Sequence, residues 1–245
     1  MYSHEAVEQN GFAIISGVVS SREIAGILGD LQDSTLRRSR AGVRHALNST
    51  GIAQLSLHAE LLKIAQETLS DDAFPFRATL FDKSSAANWL VVWHQDTALP
   101  IQERHETPGW GPWSVKEGVI YAHAPAEALS QVLALRVHLD DSTSDNGPLR
   151  VLPATHKFGV LNDDAMHLLA EQVPPVDCLV PRGGVLAMRP LLVHASSKSQ
   201  VASRRRVLHI EYAASTILAE ELLLKVAGNP MSGPARGMTT SHSPS

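Results

Sequence analysis

The sequence predicts a mainly β domain, a sandwich or barrel with helices at its flank. Two observations carry this. From about residue 76 onward, short apolar runs follow one another with Gly, Pro, Asn and Asp between them, the punctuation of a many-stranded all-β fold. Before that point the apolar residues recur mostly at helical spacing. The chain has 245 residues, 44% of them hydrophobic and 19% charged, a balance that supports one packed domain rather than disorder.

Residues 4–10 read as a short helix ending at Gly11, and Phe12-Ala13-Ile14-Ile15 as a strand. Ser20 or Ser21 caps a helix over 22–37, where Ile24, Ile27, Leu28 and Leu31 share a face. A second helix spans 58–69, with Leu61, Leu62, Ile64, Ala65 and Leu69. The strand-like runs are then 76–82, 89–94, 118–123, 131–139, 149–152, 177–181, 184–189 and 206–213. Asp145-Asn146-Gly147-Pro148 and Arg182-Gly183-Gly184 are turns between them. Residues 97–117 break the rhythm, with Pro100, Pro108, Gly109, Gly111 and Pro112 around Trp110 and Trp113. They read as a long excursion over one mouth of the barrel, part of a lid at about 97–127. Residues 1–227 form one domain on this reading, and the Gly-, Pro- and Ser-rich stretch 228–245 a mobile tail.

Composition excludes several roles. A formal net charge of −4 offers no basic excess to grip phosphate backbones, so no nucleic-acid partner is expected. Cys178 is the sole cysteine, which rules out an intramolecular disulfide or a thiolate metal cluster and suits a reducing cytoplasm. The first apolar stretch, Phe12 to Val19, is broken by Ser16 and Gly17 and is too short to span a membrane.

The chemistry centres on His94-Gln95-Asp96. Side chains alternate along a strand, so a His and an Asp two residues apart point the same way and supply two adjacent metal ligands. The motif alone is weak, because 12 His and 12 Asp in 245 residues give about 0.6 such pairs by chance. A second pair exists, His138-Leu139-Asp140. His194 is the best candidate for a third ligand. Some five strand-like runs separate Asp96 from His194 but only about three separate Asp140 from it, and Asp140-Asp141 runs straight into a polar turn. After His194 come Ser196 and then Arg204-Arg205-Arg206 entering the next strand. Alternation turns at least one of these arginines inward, where its guanidinium can pair with a carboxylate.

These residues resemble the phytanoyl-CoA dioxygenase family, which includes ectoine hydroxylase and many natural-product oxygenases. The likeness covers about Gly11 to Tyr212. Its clearest pieces are Phe81-Asp82-Lys83, Asn88-Trp89, Trp93-His94-Gln95-Asp96, Asp145-Asn146-Gly147-Pro148-Leu149, Leu152-Pro153-Ala154-Thr155-His156-Lys157 and Met188-Arg189-Pro190-Leu191-Leu192-Val193-His194. The resemblance implies a double-stranded β-helix (a cupin-like jelly roll) and a dioxygenase that uses iron(II), 2-oxoglutarate and O2. By position, His94, Asp96 and His194 would hold iron. Arg205, eleven residues after His194, would bind the distal carboxylate of 2-oxoglutarate, with Ser196 beside it. Arg204 or Arg206 takes that place if the strand phase slips by one. Arg136, Lys83 and Arg44 are further candidates for cosubstrate contacts. Trp110, Trp113, Lys116 and His123 are candidates for lid and substrate contacts. Halogenating relatives lack the carboxylate ligand; its presence as Asp96 favours hydroxylation or a related oxidation. The lid is mixed in charge, and the expected substrate is a small natural product or an amino-acid-like metabolite. Two other classes compete: a metal-dependent hydrolase or isomerase on a cupin-like barrel, and a non-catalytic binding protein on the same fold.

Overall fold

A computed structural model describes residues 3–33, 38–39, 42–85 and 87–227. The tail expected over 228–245 and the end of the helix expected over 22–37 lie outside these. Helix α1 (Ser3–Asn10) leads into β1 (Phe12–Ile15), and α2 (Ser21–Asp33) follows. Ser20 caps α2 reciprocally: its Oγ accepts from the Glu23 amide at 3.3 Å, and the Glu23 carboxylate accepts from the Ser20 amide at 2.8 Å. Then come β2 (Arg38–Ser39), β3 (Gly42–Val43), α3 (Thr50–Ser56), α4 (Ala59–Thr68), β4 (Phe74–Lys83), β5 (Val91–His94), β6 (Ala98–Ile101), β7 (Trp113–Lys116) and β8 (Val119–His123). The second half holds α5 (Ala126–Ser130), β9 (Val132–His138), β10 (Leu149–Val151), α6 (Asp163–Gln172), β11 (Val176–Cys178), β12 (Val185–Met188), β13 (His194–Ser196) and β14 (Arg205–Ala213). A small β15 (Ile217–Ala219) and β16 (Leu222–Leu223) pair closes the described chain.

Two antiparallel sheets make the jelly roll. The larger runs β1-β12-β9-β14-β4-β3-β2 and the smaller β11-β10-β13-β5. Alternation divides the large sheet cleanly. Leu208, Ile210 and Tyr212 of β14, Ala78 and Leu80 of β4, and Leu133, Leu135 and Val137 of β9 face outward. They pack under Ile24, Ile27, Ile52, Leu61 and Ile64 of the helices, each buried apolar side chain contributing roughly 1.5–3 kcal/mol. Tyr212 anchors this layer by donating its hydroxyl to the Ser56 carbonyl at 2.8 Å. The opposite face carries Arg205, His209 and Glu211 of β14, Arg77, Thr79, Phe81 and Lys83 of β4, and Arg136 of β9. One face of the sheet is thus a hydrophobic core, and the other lines a polar cavity.

Two expectations change. Residues 97–117, expected as a loop, hold two strands, β6 and β7. They flank β8, the strand expected at 118–123, in a third antiparallel sheet, β6-β8-β7, which α5 follows. The helices α3, α5 and α6 were also not anticipated. The first two are 7 and 5 residues long, too short for a 3.6-residue period to show. Among the described residues no helix is long and apolar enough to cross a membrane.

Candidate metal and anion site

His94 ends β5, and His194 opens β13 directly opposite it in register. The chain after His94 is steered back to the same place by the Asp96 amide, which donates to the Pro190 carbonyl at 2.9 Å. His94, Asp96 and His194 therefore offer ligand atoms that all lie within 4.8 Å of one another. Asp96 reaches both rings, Oδ1 lying 3.8 Å from His94 Nε2 and Oδ2 3.5 Å from His194 Nε2.

The histidines are held in one tautomer by the same local device. His94 Nδ1 lies 2.9 Å from the Val92 carbonyl, and His194 Nδ1 2.8 Å from the Leu192 carbonyl. A carbonyl only accepts, so each Nδ1 carries the proton and each Nε2 presents a lone pair to the cluster. Burial pushes the His194 pKa down to about 4, so the ring stays neutral near pH 7. Burial works against ionised Asp96, but attraction to the groups around it, of which the Arg136 guanidinium is permanently charged, outweighs it and holds the carboxyl well below its usual range. Two neutral imidazole nitrogens and one carboxylate on one side of a cavity form the donor set of a non-haem iron(II) centre. These residues fit that ion.

Gln95, between the two ligands, points the other way and is clamped by backbone. Its Nε2 donates to the Gly159 and Leu191 carbonyls at 2.9 and 2.7 Å, and its Oε1 accepts from the Leu161 amide at 2.8 Å.

Next to the cluster lies a second feature. The cavity, about 380 Å³, is lined by Lys83, Arg136, Arg205 and Ser196 as well as the three donors. Lys83, Arg136 and Arg205 are almost wholly buried. Among the described residues none of the three has a carboxylate within ion-pairing distance. Lys83 donates to the Ser197 carbonyl at 2.6 Å and to Ser196 Oγ at 3.3 Å, and Arg205 Nε to the Asn146 carbonyl at 3.3 Å. Burial, with Arg205 and Arg136 nearby, pushes the Lys83 pKa down to about 8, and burial with Arg136 pushes Arg205 down to about 10. Buried unpaired cations are costly, and a bound anion removes that cost. Gly147 helps set the spacing of this corner: its φ is +69°, and a Cβ there would lie 2.4 Å from the Ser197 carbonyl oxygen.

The three consecutive arginines have three different fates. Arg204 forks onto Asp82, and Arg206 forks onto Asp140 with two bonds of 2.7 Å. Arg205, between them, points inward opposite Lys83 in register. The second His-x-Asp pair is thereby dispersed: Asp140 is occupied by Arg206, and His138 is buried with neither ring nitrogen hydrogen-bonded among the described residues.

A family model described as phytanoyl-CoA dioxygenase (PhyH) matches residues 7–207. The chain belongs to the phytanoyl-CoA dioxygenase family. It is also similar to L-proline trans-4-hydroxylase from Streptomyces griseoviridis, 28% identical over 138 residues. That match covers 46% of this chain and 51% of the relative, so it spans about half the relative's length. Among solved structures, EctD from S. alaskensis with 2-oxoglutarate and 5-hydroxyectoine superposes with TM-score 0.66 at 19% identity, covering 86% of this chain and 74% of that one. The 2-oxoglutarate-dependent (alpha ketoglutarate dependent) epimerase SnoN from nogalamycin biosynthesis superposes with TM-score 0.64 at 17% identity, covering 96% and 89%. At these identities the structural likeness establishes the double-stranded β-helix fold.

The phytanoyl-CoA dioxygenase fold also places the remaining candidates. Lys116, His123 and Arg44 line the cavity. Arg44 does so from its rim, where it pairs with Glu117 at 3.5 Å, both side chains partly exposed. Trp110 and Trp113 are not brought to the cavity. The register of the lid sheet explains Trp113. It pairs with Ala122, which pairs with Leu99, and that face packs into a second hydrophobic cluster that also takes Trp110. Ala98, Tyr121, His123 and Lys116 fall on the other face.

Three ionisable cavity residues are not singled out by sequence: Arg77, His209 and Glu211. The signal was there, since 205, 207, 209 and 211 share a face, as do 77, 79, 81 and 83. Glu211 and Arg77 sit opposite each other in register and form a buried forked ion pair. Arg77 also donates to the Ala98 carbonyl at 3.1 Å, tying the β4–β14 ladder to the segment that follows Asp96. Arg136 donates to His209 Nδ1 at 3.0 Å, so the proton of this neutral ring is on Nε2. Burial and Arg136 push its pKa down to about 3.

Proposed function

We propose that the protein is an iron(II)- and 2-oxoglutarate-dependent dioxygenase. It oxidises a small-molecule metabolite by hydrogen abstraction, hydroxylation being the default outcome, and releases succinate and CO2. Natural-product or secondary metabolism is its setting. The observation that carries the reading is a pairing: a His/Asp/His donor set beside three buried cations and a serine that, among the described residues, have no carboxylate of their own. A metal-dependent hydrolase would use the donors but has no need of an adjoining slot for a dianion.

On this reading His94 and His194 hold iron through Nε2, and Asp96 through its carboxylate. Iron with 2-oxoglutarate and O2 supplies the oxidising power that removes the substrate hydrogen. The rest of the work belongs to this chain. Arg205 and Lys83 neutralise the distal carboxylate of 2-oxoglutarate, and Ser196 Oγ donates to it. Arg136, near Asp96 and steadied by His209, would supply a further positive charge to the bound dianion. The carbonyls of Val92 and Leu192 fix both imidazoles, so no proton must leave Nε2 when metal binds. The lid sheet, rooted at Asp96–Ala98 through Arg77, covers the opening and excludes water. The similarity to L-proline trans-4-hydroxylase supports a small polar substrate.

The direct test is succinate formation by purified protein given iron(II), 2-oxoglutarate and air. Slow formation without added substrate, lost in His194→Ala, supports the reading. Equal succinate from both proteins contradicts it.

A further inference from the structure

The charges lining the cavity are out of balance. Six cationic side chains line it (Arg44, Arg77, Lys83, Lys116, Arg136 and Arg205) against two carboxylates, Asp96 and Glu211. The whole chain carries a formal net charge of −4, so this surplus of positive charge is concentrated here and does not follow from composition. If the site takes iron(II) and the 2-oxoglutarate dianion, as proposed above and on which this inference rests, their charges cancel and the surplus remains.

The surplus can be placed. Arg77 is neutralised by Glu211, and the buried Lys83, Arg136 and Arg205 face the cosubstrate. Two cations of the lining face neither Glu211 nor the cosubstrate and stand at the opening: Arg44, just after β3, and Lys116, at the end of β7. Two separate parts of the chain thus bring a cation to the same mouth. Lys116 is held there. Its ammonium lies 5.4 Å from the centroid of the buried Tyr121 ring, on the cavity face of the lid sheet. Among the described residues no carboxylate lies within ion-pairing distance of Lys116. Arg44 has one partner, Glu117 at 3.5 Å, in a solvent-exposed pair of the kind that contributes little and that a ligand anion can displace. Charges of one sign converging on a concave, low-dielectric site select ligands of the other sign.

We propose that the substrate is an organic anion, its carboxylate or phosphate held between Lys116 and Arg44 while its oxidised carbon lies toward Asp96. Carboxylate and phosphate share the chemistry that two such cations recognise.

The test is calorimetric titration, without oxygen, of protein loaded with iron(II) and saturating 2-oxoglutarate. The probes are benzoate against benzamide, and phenyl phosphate against phenol. At least one anion is expected to bind about tenfold or more tighter than its neutral counterpart, and the tighter of the two identifies the group. Lys116→Met and Arg44→Gln are each expected to weaken that anion about tenfold and leave the neutral probe unchanged. Equal binding of charged and neutral probes, no binding of either anion, or anion binding indifferent to both substitutions overturns the proposal. A prior titration with 2-oxoglutarate separates the two readings. If 2-oxoglutarate binds and the anions do not, only the substrate class is wrong. If 2-oxoglutarate itself fails to bind, both fall.

Discussion

The molecule contains the same three-residue motif twice, and only one copy is brought together with a third donor, His194. His94-Gln95-Asp96 and His138-Leu139-Asp140 both sit at the end of a strand, and in both the His and Asp are two residues apart. The difference lies in the neighbours. His94 faces His194 across the β5–β13 ladder, and among the described residues only imidazoles lie within ion-pairing distance of Asp96. His138 is instead paired with Val207, and Asp140 is captured by Arg206. A strand-end His-x-Asp is therefore only a geometric possibility. The adjacent strand decides whether it becomes a ligand pair or a structural ion pair.

Removing members of each pair should break this comparison most sharply. Asp96→Ala is expected to lower succinate formation by at least about a thousandfold, as loss of a group that acts as part of a unit does. Asp140→Ala should leave succinate formation within about threefold of the parent but lower stability by roughly 1–2 kcal/mol, since its ion pair with Arg206 is partly solvated. Succinate assays and urea unfolding curves read the two effects.

The arginines extend the contrast. Arg205→Ala should weaken 2-oxoglutarate binding about a hundredfold, because truncating one partner of a buried charge pair costs roughly 2–5 kcal/mol. Arg204→Ala and Arg206→Ala should each change it less than about threefold, as their guanidinium groups are engaged by Asp82 and Asp140. A larger loss for Arg204 in the same titration would mean that the inward residue has been misassigned.

Smaller effects sharpen the picture further. Lys83 has its pKa depressed to about 8 before any anion binds. Below that pH it is charged and binds the carboxylate; above it the charge is lost. The affinity for 2-oxoglutarate should thus fall between pH 7.5 and pH 9 by about tenfold, and Lys83→Met should flatten that slope. Gln95→Leu, which removes three bonds from the residue between two ligands, should weaken iron(II) binding by about tenfold. His138→Leu should be the mildest change. Both ring nitrogens are buried without partners, so an apolar replacement loses no bond, and the thermal midpoint should hold or rise.

Much of the fold was legible because its strands are short, apolar and separated by turn residues. All eight runs expected from about residue 76 onward coincide with strands within a few residues. The lid was misread for an equally physical reason. Pro100 argues against a strand, yet it is tolerated in β6 because β6 is an edge of its sheet. Trp113 looked like a substrate contact because a tryptophan in a Pro- and Gly-rich stretch suggests an exposed loop. Once β7 and β8 exist, alternation sends it into the core and leaves Lys116 on the cavity face. Arg77, His209 and Glu211 were overlooked because the period-two reading stopped at Arg205 and Lys83 instead of being carried along β14 and β4. That at least one of the three arginines turns inward, by contrast, follows from alternation, while the choice of Arg205 among them rests on the family resemblance.

The central claim is that the His94–Asp96 pair, and not its twin, holds iron. The most direct measurement is equilibrium binding of iron(II) to the parent, Asp96→Ala and Asp140→Ala proteins under anaerobic conditions, by competition with a chelator. The account predicts one equivalent bound by the parent and by Asp140→Ala, and binding weakened at least about a hundredfold in Asp96→Ala. Retention of full affinity in Asp96→Ala, or its loss in Asp140→Ala, would contradict it.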